Sequence, residues 1–350
     1  MIDDRKNDSP EIWAILDGVS GHDSQVLGVA EALNSSFVKK KIVYNEKADR
    51  PNFLKFDGLA TIDKKRSDLI SEPWPDIIIS CGRKAGAVAK SIRNKARKDG
   101  KKSFLAHILW PGSAMGFDLI ACPLHDIIPF PFSGSKKLHR FLGSPNRISK
   151  EFLLNEYRIW ARTIGELPSP RIAVLIGGDS KKTVFNDIHA KVLSEQIVQI
   201  CSKFKAAVLV TTSRRTSPAI TSYLESELKR RIGRYLHFHD FNKTKANPFY
   251  AFLQLADIII VTGDSISMCS ESCSTGKPVY IFSPEGNASD KHREFHEALY
   301  ESGYAQEFND KLKEAILSSG IPENNNANKP LNSASDIADE IKRRTDPLFI

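Results

Sequence analysis

One pattern recurs along most of this chain and constrains its fold more than any other feature. Short runs of apolar residues end in glycine or polar residues, and each is followed by a stretch with apolar residues at helical spacing. Ile12–Leu16 ends in Asp17-Gly18. Asp76–Ser80 ends in Cys81-Gly82 and precedes the helical stretch Ala85–Ala96. A buried strand followed by a helix is the repeating unit of a parallel β-sheet, so the pattern predicts an α/β fold.

The alternation occurs in two series, which predicts two sheets. Between them, Pro123–Pro145 is rich in proline, glycine and serine and is predicted to be a loop. Ser149–Thr163 is predicted to be a helix at the hinge, and Gly165–Pro170 has the composition of a linker. The first series of predicted strands is Ile12–Leu16, Phe37–Tyr44, Asp76–Ser80, Ser103–Leu109 and Phe117–Cys122. The second is Arg171–Ile176, Ala206–Thr212, Tyr235–Phe238, Ile258–Thr262 and Pro278–Phe282.

The length of 350 residues suits this division, since a domain typically holds about 100–200 residues. The predicted fold class is α/β, with two tandem Rossmann-like doubly wound domains that face a cleft. Ligands of such sheets bind at the carboxyl ends of the strands, and the cleft is the expected site. The predicted boundaries are 1–164, a linker at 165–170, and 171–323. Residues 324–350 are interpreted as a polar connector and a C-terminal helix, a candidate for packing back on the N-terminal domain.

The charge balance indicates an anionic partner. Lys+Arg number 50 and Asp+Glu 42, which gives a net charge of +8 that suits nucleotide phosphate, nucleic acid or an acidic membrane face. No run reaches the roughly 18 apolar residues of a membrane span, and Met1–Pro10 lacks the apolar core of a secretory signal. The 5 scattered cysteines favour a reducing cytoplasm, with the inner membrane face as a candidate peripheral location.

The loop after the predicted strand Ile258–Thr262 is the strongest candidate for binding an anion. Gly263 allows a tight turn, Asp264 follows, and hydroxyl groups stand where a helix is predicted to begin, at Ser265 and Ser267. The free N–H groups at a helix start attract phosphate. Glu271 lies further along the same predicted helix and could accept hydrogen bonds from a ribose. Simple helix capping by Asp264 or Ser265 explains the same pattern, and the two interpretations are compatible.

Two further strand ends in the second half could contact a phosphate. Gly177-Gly178 permits a close backbone approach, although a structural turn is the commoner role of such a pair. Ser213-Arg214-Arg215-Thr216 places two forked cations between hydroxyl groups, a composition suited to phosphate or carboxylate. A solvated basic turn is the alternative.

The first half offers a candidate base and an acceptor surface. The loop Asp17–Gln25 follows the first strand, and either His22 or Asp17 could remove a proton, since imidazole titrates near neutral pH. Gly82-Arg83 and His125 lie at other strand ends, and an incidental loop histidine is the simpler interpretation of each histidine. The chain has no Walker loop, GxGxxG, DxD or GxSxG motif and no clustered Cys/His set, so no metal site is predicted.

Several motifs in the right order resemble the mitochondrial-fission Elm family. The resemblance runs from about Ile12 to Phe308. It is carried by Trp13–Leu33 (WAILDGVSGHDSQVLGVAEAL), Phe117-Asp118-Leu119, Leu175–Gly178, Ser213–Thr216, Asn247-Pro248, Thr262–Glu271 (TGDSISMCSE) and Thr275–Val279. That family in turn resembles the GT-B glycosyltransferases, which have two Rossmann-like domains and generally work without a bound metal.

The resemblance implies a role for each motif. The second domain would bind a nucleotide-diphosphate sugar as co-substrate, with no other cofactor. The implied donor-binding residues are Gly177, Gly178, Ser213, Arg214, Arg215, Thr216, Gly263, Asp264, Ser265, Ser267 and Glu271, the last on the ribose. The first domain would face the acceptor, with His22 or Asp17 as catalytic base. The implied acceptor-side residues are Gly18, Ser20, Gly21, Gln25, Gly82, Arg83 and His125.

The leading hypothesis is a metal-independent glycosyltransferase whose acceptor is unidentified, a lipid-linked acceptor being one candidate. The alternative is a non-catalytic, nucleotide-binding or membrane-associated adaptor, with peripheral contact to anionic lipid. Nucleic acid is not an expected partner, because no binding motif accompanies the positive charge. An epimerase of the type that uses GxGxxG and YxxxK is disfavoured, because the chain has neither motif.

Overall fold

The computed structural model describes residues 10–49, 57–180, 183–244, 246–320 and 329–349. These residues form two compact units. The first comprises the described residues up to Arg147 together with those from Asn332 onward, and the second runs from Ile148 to Leu331. Each unit is built on one six-stranded sheet.

The strands are short and parallel throughout the described sheets. Those of the first unit are β1 (Ile12–Leu16), β2 (Phe37–Lys41), β3 (Ile77–Cys81), β4 (Phe104–Ile108), β5 (Leu119–Pro123) and β6 (Leu138–Phe141). Those of the second are β7 (Arg171–Leu175), β8 (Ala207–Thr211), β9 (Leu236–His239), β10 (Ile258–Thr262), β11 (Val279–Phe282) and β12 (Gln306–Glu307).

Helices connect most of these strands. They are α1 (Ser20–Ala32), α2 (Arg83–Lys98), α3 (Lys150–Ile164), α4 (Asp187–Phe204), α5 (Pro218–Ile232), α6 (Phe249–Leu255), α7 (Ile266–Cys273), α8 (Asp290–Glu301), α9 (Asp310–Ser319) and α10 (Ser333–Phe349). Several begin at a residue whose side-chain oxygen accepts a backbone N–H of the first turn, the usual start signal of a helix. Asn186, Ser217, Ser265 and Asn309 cap α4, α5, α7 and α9 in this way.

The first sheet has the strand order β2-β1-β3-β4-β5-β6 and is covered on both faces. Alternate residues of β1 point to opposite faces, so Ile12 packs in one apolar cluster with α1 and α10, and Trp13 packs in another with α2. Burial on both faces explains the unbroken apolar runs in the sequence. The chain reverses its direction of winding between β1 and β3, which makes their carboxyl ends the expected ligand site of this unit.

The second sheet has the order β12-β11-β10-β7-β8-β9, which is the Rossmann strand order. The direction of winding reverses between the paired strands β7 and β10. Their carboxyl ends lead into Gly177-Gly178 and Gly263-Asp264, the two loops that sequence analysis selected. The topology therefore places the predicted anion loops at the usual ligand position of such a sheet.

The predicted α/β fold class with two doubly wound units is confirmed, and every predicted strand is present, with the predicted ends for β1 and β10 and shifted ends for the others. The prediction of a loop over Pro123–Pro145 is wrong in part, because β6 lies inside it. Sequence analysis assigned no elements to 283–323, where α8, β12 and α9 are found. No helix among the described residues combines the length and apolarity that a bilayer crossing requires.

The division of the chain differs from the predicted boundaries. Helix α3 belongs to the second unit, where it packs against α6, so the predicted linker 165–170 lies within that unit. Helix α10 belongs to the first unit and packs against α1 and β6. The connector predicted around Asn324–Asn326 lies outside the described residues.

Candidate functional site

Asp264 joins the loops that follow β7 and β10. Its side chain has no exposed surface, and its Oδ2 accepts the backbone N–H of Gly178 at 2.8 Å. Its Oδ1 accepts the hydroxyl of Thr262 at 2.6 Å, while Thr262 Oγ1 accepts the N–H of Gly177 at 2.8 Å. A buried carboxylate needs such donors, because an unpaired charge is strongly disfavoured in the interior. The role of Asp264 is therefore to hold the two loops together.

Arg215 brings the loop after β8 into the same cluster. Its Nη2 donates to Asp264 Oδ2 at 2.8 Å, and its Nη1 donates to the carbonyl of Gly178 at 3.0 Å. Thr216 Oγ1 donates to the carbonyl of Gly177 and accepts the N–H of Ser213 at 2.9 Å. Because these donors bind protein acceptors, Arg215 and Thr216 stabilise the conformation of the loops and are not available to a ligand. We call the set Gly177, Gly178, Asp264, Arg215 and Thr216 the Asp264 cluster.

Close packing explains why both residues after β7 are glycine. A Cβ at Gly177 would overlap the Asp264 carboxylate, and a Cβ at Gly178 would overlap the Arg215 carbonyl and lie 2.5 Å from the Thr216 nitrogen. The glycine pair is thus required by contact between loops of the protein itself, which is the structural-turn interpretation of the sequence.

The remaining side chains of these loops differ in their availability. Arg214 is exposed and, among the described residues, has neither a hydrogen-bond nor an ion-pair partner. Ser267 is exposed on the first turn of α7. Ser265 Oγ accepts the N–H of Met268 at 3.3 Å, so Ser265 is a helix cap, as the alternative interpretation proposed. Among the described residues of these loops, Arg214 is therefore a cation that is open to a ligand.

Two histidines of α8, which sequence analysis missed, complete the surroundings of Asp264. His296 Nε2 donates to the carbonyl of Gly263 at 2.9 Å, and His292 Nδ1 lies 2.7 Å from Ser289 Oγ. Burial lowers the pKa of His292. Their spacing, four residues apart on a helix, was the signal that could have revealed them. Within the described residues no group of three or more His, Cys, Asp or Glu could hold a metal.

Glu271 of α7 contacts Tyr250 of α6. The Tyr250 hydroxyl donates to Glu271 Oε1 at 3.0 Å, and the Tyr250 ring packs edge-on against Phe152 with ring centroids 4.9 Å apart. Loss of solvation raises the pKa of Glu271 to about 7. The carboxyl group is therefore held in place by α6 but gains its charge only near neutral pH.

We expect Glu271→Gln to gain stability relative to the parent as the pH rises from 5 to 8. The folded protein holds a proton on Glu271 between the ordinary pKa of 4.5 and about 7, so parent stability falls through that window, whereas glutamine does not titrate. The gain should be roughly 1–2 kcal/mol after allowance for partial exposure. Urea unfolding at both pH values measures it, with Glu301→Gln as the exposed control. A gain that does not depend on pH would contradict the assignment.

Asp17 and His22 form a pair after the carboxyl end of β1, where the first sheet reverses its direction of winding. Asp17 Oδ2 lies 3.0 Å from His22 Nδ1, and the side chain of Asp17 is 4% exposed against 28% for His22. The His22 ring lies against Gly82, where a Cβ would approach Nδ1 to 2.8 Å. A carboxylate that binds Nδ1–H orients an imidazole and leaves Nε2 to accept a proton. The structure thus brings the two predicted candidates for the base into contact, and their catalytic role stays a prediction.

Asp23 contacts the loop that carries this pair, whereas the predicted acceptor-side residues differ in burial and in their distance along the sheet from His22. Asp23 Oδ1 accepts the N–H groups of Asp17 at 3.0 Å and Gly18 at 3.3 Å, and burial together with the Asp17 carboxylate raises the pKa of Asp23. Ser20 and Gly21 form the exposed start of α1, Gln25 is buried in it, and Arg83 begins α2. His125 is buried in the loop after β5, and His22 lies in the helix after β1. Because β3 and β4 lie between β1 and β5, the sheet does not bring His125 beside His22.

The cysteines are all free thiols in buried positions. Burial raises the pKa of Cys122 to about 12 and that of Cys81 well above its ordinary value. A thiol with a raised pKa is a poor nucleophile, so these cysteines serve as small packing residues.

Sequence comparison finds relatives over nearly the whole chain. A family model described as mitochondrial fission ELM1 matches residues 20–345. An uncharacterized protein of Rickettsia prowazekii (strain Madrid E) is 29% identical over 358 residues, which cover 95% of this chain and 97% of that protein. The mitochondrial fission protein ELM1 of Arabidopsis thaliana is 27% identical over 288 residues, which cover 77% of this chain and 64% of the plant protein.

Structure comparison finds the same two-domain α/β fold in sugar-nucleotide proteins. A UDP-GlcNAc 2-epimerase of Methanocaldococcus jannaschii, solved with UDP-GlcNAc and UDP, has a TM-score of 0.50 and 14% identity over 95% of this chain and 99% of that one. The glycotransferase of kitacinnamycin has a TM-score of 0.51 and 12% identity over 96% and 99%. At these identities the likeness concerns the fold, and the predicted resemblance to the GT-B fold is confirmed.

Proposed function

The chain belongs to the mitochondrial fission ELM1 family and has the two-domain α/β fold of the GT-B glycosyltransferases, and from this premise we propose that it is a metal-independent glycosyltransferase that uses a nucleotide-diphosphate sugar. The observation that carries the proposal is the contrast between the two arginines after β8. Arg215 is bound within the Asp264 cluster, whereas Arg214 beside it is exposed and unpaired among the described residues.

The second unit supplies the donor side of this proposal. Arg214 would bind the diphosphate, assisted by the positive end of α7. The Asp264 cluster fixes the loops that carry both groups, so little reorganisation is needed when charge develops on the leaving diphosphate. Glu271 would accept a hydrogen bond from the ribose, as its position further along α7 suggests.

The first unit supplies the acceptor side. In the proposed reaction an acceptor hydroxyl attacks the anomeric carbon of the sugar, and the bond from that carbon to the diphosphate oxygen breaks. The hydroxyl proton passes to His22 Nε2, while Asp17 holds the imidazole through Nδ1. The negative charge leaves on the nucleoside diphosphate.

Calorimetric titration with UDP, dTDP, GDP, ADP and CDP tests the donor site. We expect one of them to bind, and Arg214→Ala to weaken that binding by about 10–100-fold, because charge-assisted hydrogen bonds are lost. Arg230→Ala is the matched control, since Arg230 is an exposed arginine of the same unit that pairs with Glu227. If no nucleotide binds, or both arginine variants behave alike, the proposal fails.

A measurement of turnover distinguishes a transferase from a protein that binds the nucleotide without catalysis. With the nucleotide sugar that binds, slow hydrolysis to the free diphosphate is expected, and His22→Ala should lower that rate by about 10²–10⁴-fold while nucleotide affinity is kept. Binding without any hydrolysis or transfer would favour the non-catalytic alternative.

A further inference from the structure

An open cavity of about 590 Å³ lies beside the first half of α2 in the first unit. Its walls are α2 and the loop from Pro111 to Phe117 that follows β4. The volume is that of an ordinary small-molecule site. Its polar lining consists of two cations, Arg83 and Lys90, with the neutral groups of Ser91, Asn94 and Ser113, and no carboxylate is among the described lining residues. The cavity is therefore electrostatically suited to an anion.

Neither cation is neutralised by a carboxylate of the described part of the chain. Among the described residues neither Arg83 nor Lys90 has a carboxylate partner, whereas nearby Arg93 is paired with Asp118 at 2.9 Å. Lys90 Nζ lies 5.2 Å from the centroid of the Phe117 ring, so its aliphatic stem and its charge are held against the cavity wall. Arg83 stands at the first turn of α2, where the helix dipole repels a cation and no acidic residue compensates. A bound anion would relieve both positions.

Large apolar side chains are exposed on the loop that lines this cavity and on the loop that follows β5. Met115 lines it and is 80% exposed, and Ile127 and Phe130 on the next loop are each 90% exposed. The two loops touch through the rings of Trp110 and Phe132, whose centroids are 5.4 Å apart. Side chains so exposed contact little of their own chain, and we call Met115, Ile127 and Phe130 the apolar tips.

The loop that carries two of these tips is held in a fixed position. Arg140 Nη2 on β6 donates to the carbonyls of Leu124 at 2.6 Å and Asp126 at 2.9 Å. Exposed apolar side chains on a loop with a fixed conformation can insert between lipid chains. The cations Arg83 and Lys90 would then bind the headgroup phosphates above those chains.

We propose that this edge of the first unit docks on an anionic bilayer, with a lipid headgroup phosphate in the Arg83–Lys90 cavity and Met115, Ile127 and Phe130 among the acyl chains. The surface does not include the predicted nucleotide-binding residues, although it shares Arg83 with the predicted acceptor side, and lipid docking goes beyond the proposed transferase activity. Charge complementarity selects the lipid: Arg83 and Lys90 lack acidic partners among the described residues, so neutral bilayers offer them little.

Flotation of the chain with lipid vesicles in a sucrose gradient, without any nucleotide, tests whether this surface binds a bilayer. The chain should float with vesicles of phosphatidylcholine and phosphatidylglycerol and not with phosphatidylcholine alone, and high salt should weaken the association. The double variant Arg83→Gln/Lys90→Gln removes both charges but keeps polar side chains, and Ile127→Ser/Phe130→Ser removes two tips. Each should lower the bound fraction by at least about tenfold. Circular dichroism and the melting temperature verify that the variants fold.

Matched variants in the second unit control for charge and exposure alone. Lys229→Gln/Arg230→Gln removes two cations of α5, and Ile159→Ser removes a side chain of α3 that is 71% exposed, and neither should change flotation. Equal loss with these controls would overturn the proposal. So would absence of flotation with anionic vesicles, or tight binding of inorganic pyrophosphate in solution that Ile127→Ser/Phe130→Ser leaves intact, which would make the cavity a free-anion site.

Discussion

Asp264→Ala is expected to lower the free energy of unfolding of the second unit by roughly 3 kcal/mol or more. The substitution removes the acceptor for the Gly178 N–H, the Thr262 hydroxyl and the Arg215 guanidinium in one step. It leaves a partly buried cation without its partner, which is far more damaging than the loss of an exposed ion pair. Hydrogen exchange of the β7, β8 and β10 amides measures the change within this unit.

Asp290→Ala is the control for this prediction. Asp290 also pairs with an arginine, Arg293, but its side chain is 89% exposed, and such pairs contribute about 0–1 kcal/mol. Nucleotide affinity should fall with Asp264→Ala and not with Asp290→Ala, because only the first loosens the loop that carries Arg214. If the two variants were equally stable, the Asp264 cluster would not organise the site.

Two glycines of α1 are expected to respond in opposite directions to alanine. A Cβ at Gly28 would overlap the Asn146 carbonyl and lie 2.6 Å from its carbon, so the segment before Arg147 must move away from the helix. We expect a loss of about 2–3 kcal/mol, typical of overpacking against backbone. Gly21 has nothing within 4 Å of its Cβ position, and Gly21→Ala should gain about 0.5 kcal/mol from helix propensity.

Urea unfolding followed by tryptophan fluorescence reports these changes, since Trp13, Trp74 and Trp110 lie in the first unit. Each variant serves as the control for the other, because both substitutions are the same chemical change in one helix. A loss of stability with Gly21→Ala, or none with Gly28→Ala, would show that helix propensity and not contact with Asn146 dominates α1.

The sequence predicted the sheets well because parallel strands are buried on both faces and show as continuous apolar runs. β3 and β10 are examples, each buried over its whole length and followed by a glycine-containing turn. β6 escaped because Leu138–Phe141 includes a histidine and an arginine, lies at a sheet edge, and is surrounded by proline and glycine. An edge strand needs fewer apolar residues, so its pattern is weak.

The loops of the candidate site could be predicted from the sequence, but the contacts among them could not. Glycine and hydroxyl residues at strand ends revealed the loops after β7, β8 and β10. The ion pair of Arg215 with Asp264 joins residues 49 positions apart, and no local pattern distinguishes Arg215 from Arg214. The spacing of His292 and His296 was visible in the sequence, but their contacts with the 263–264 turn exist only after α8 packs against that turn.

Helix α10 has a consequence for how the protein is made. It supplies Ala334, Ile337, Ala338 and Ile341 to the apolar cluster of β1, α1 and β3, although the whole second unit separates it from them in the chain. During synthesis the amino-terminal sheet therefore leaves the ribosome with one face covered by α1 but not by α10, and stays so until α10 emerges. The second unit, which is continuous in sequence, has all of its own strands by then, so the order of completion is the reverse of the order of translation.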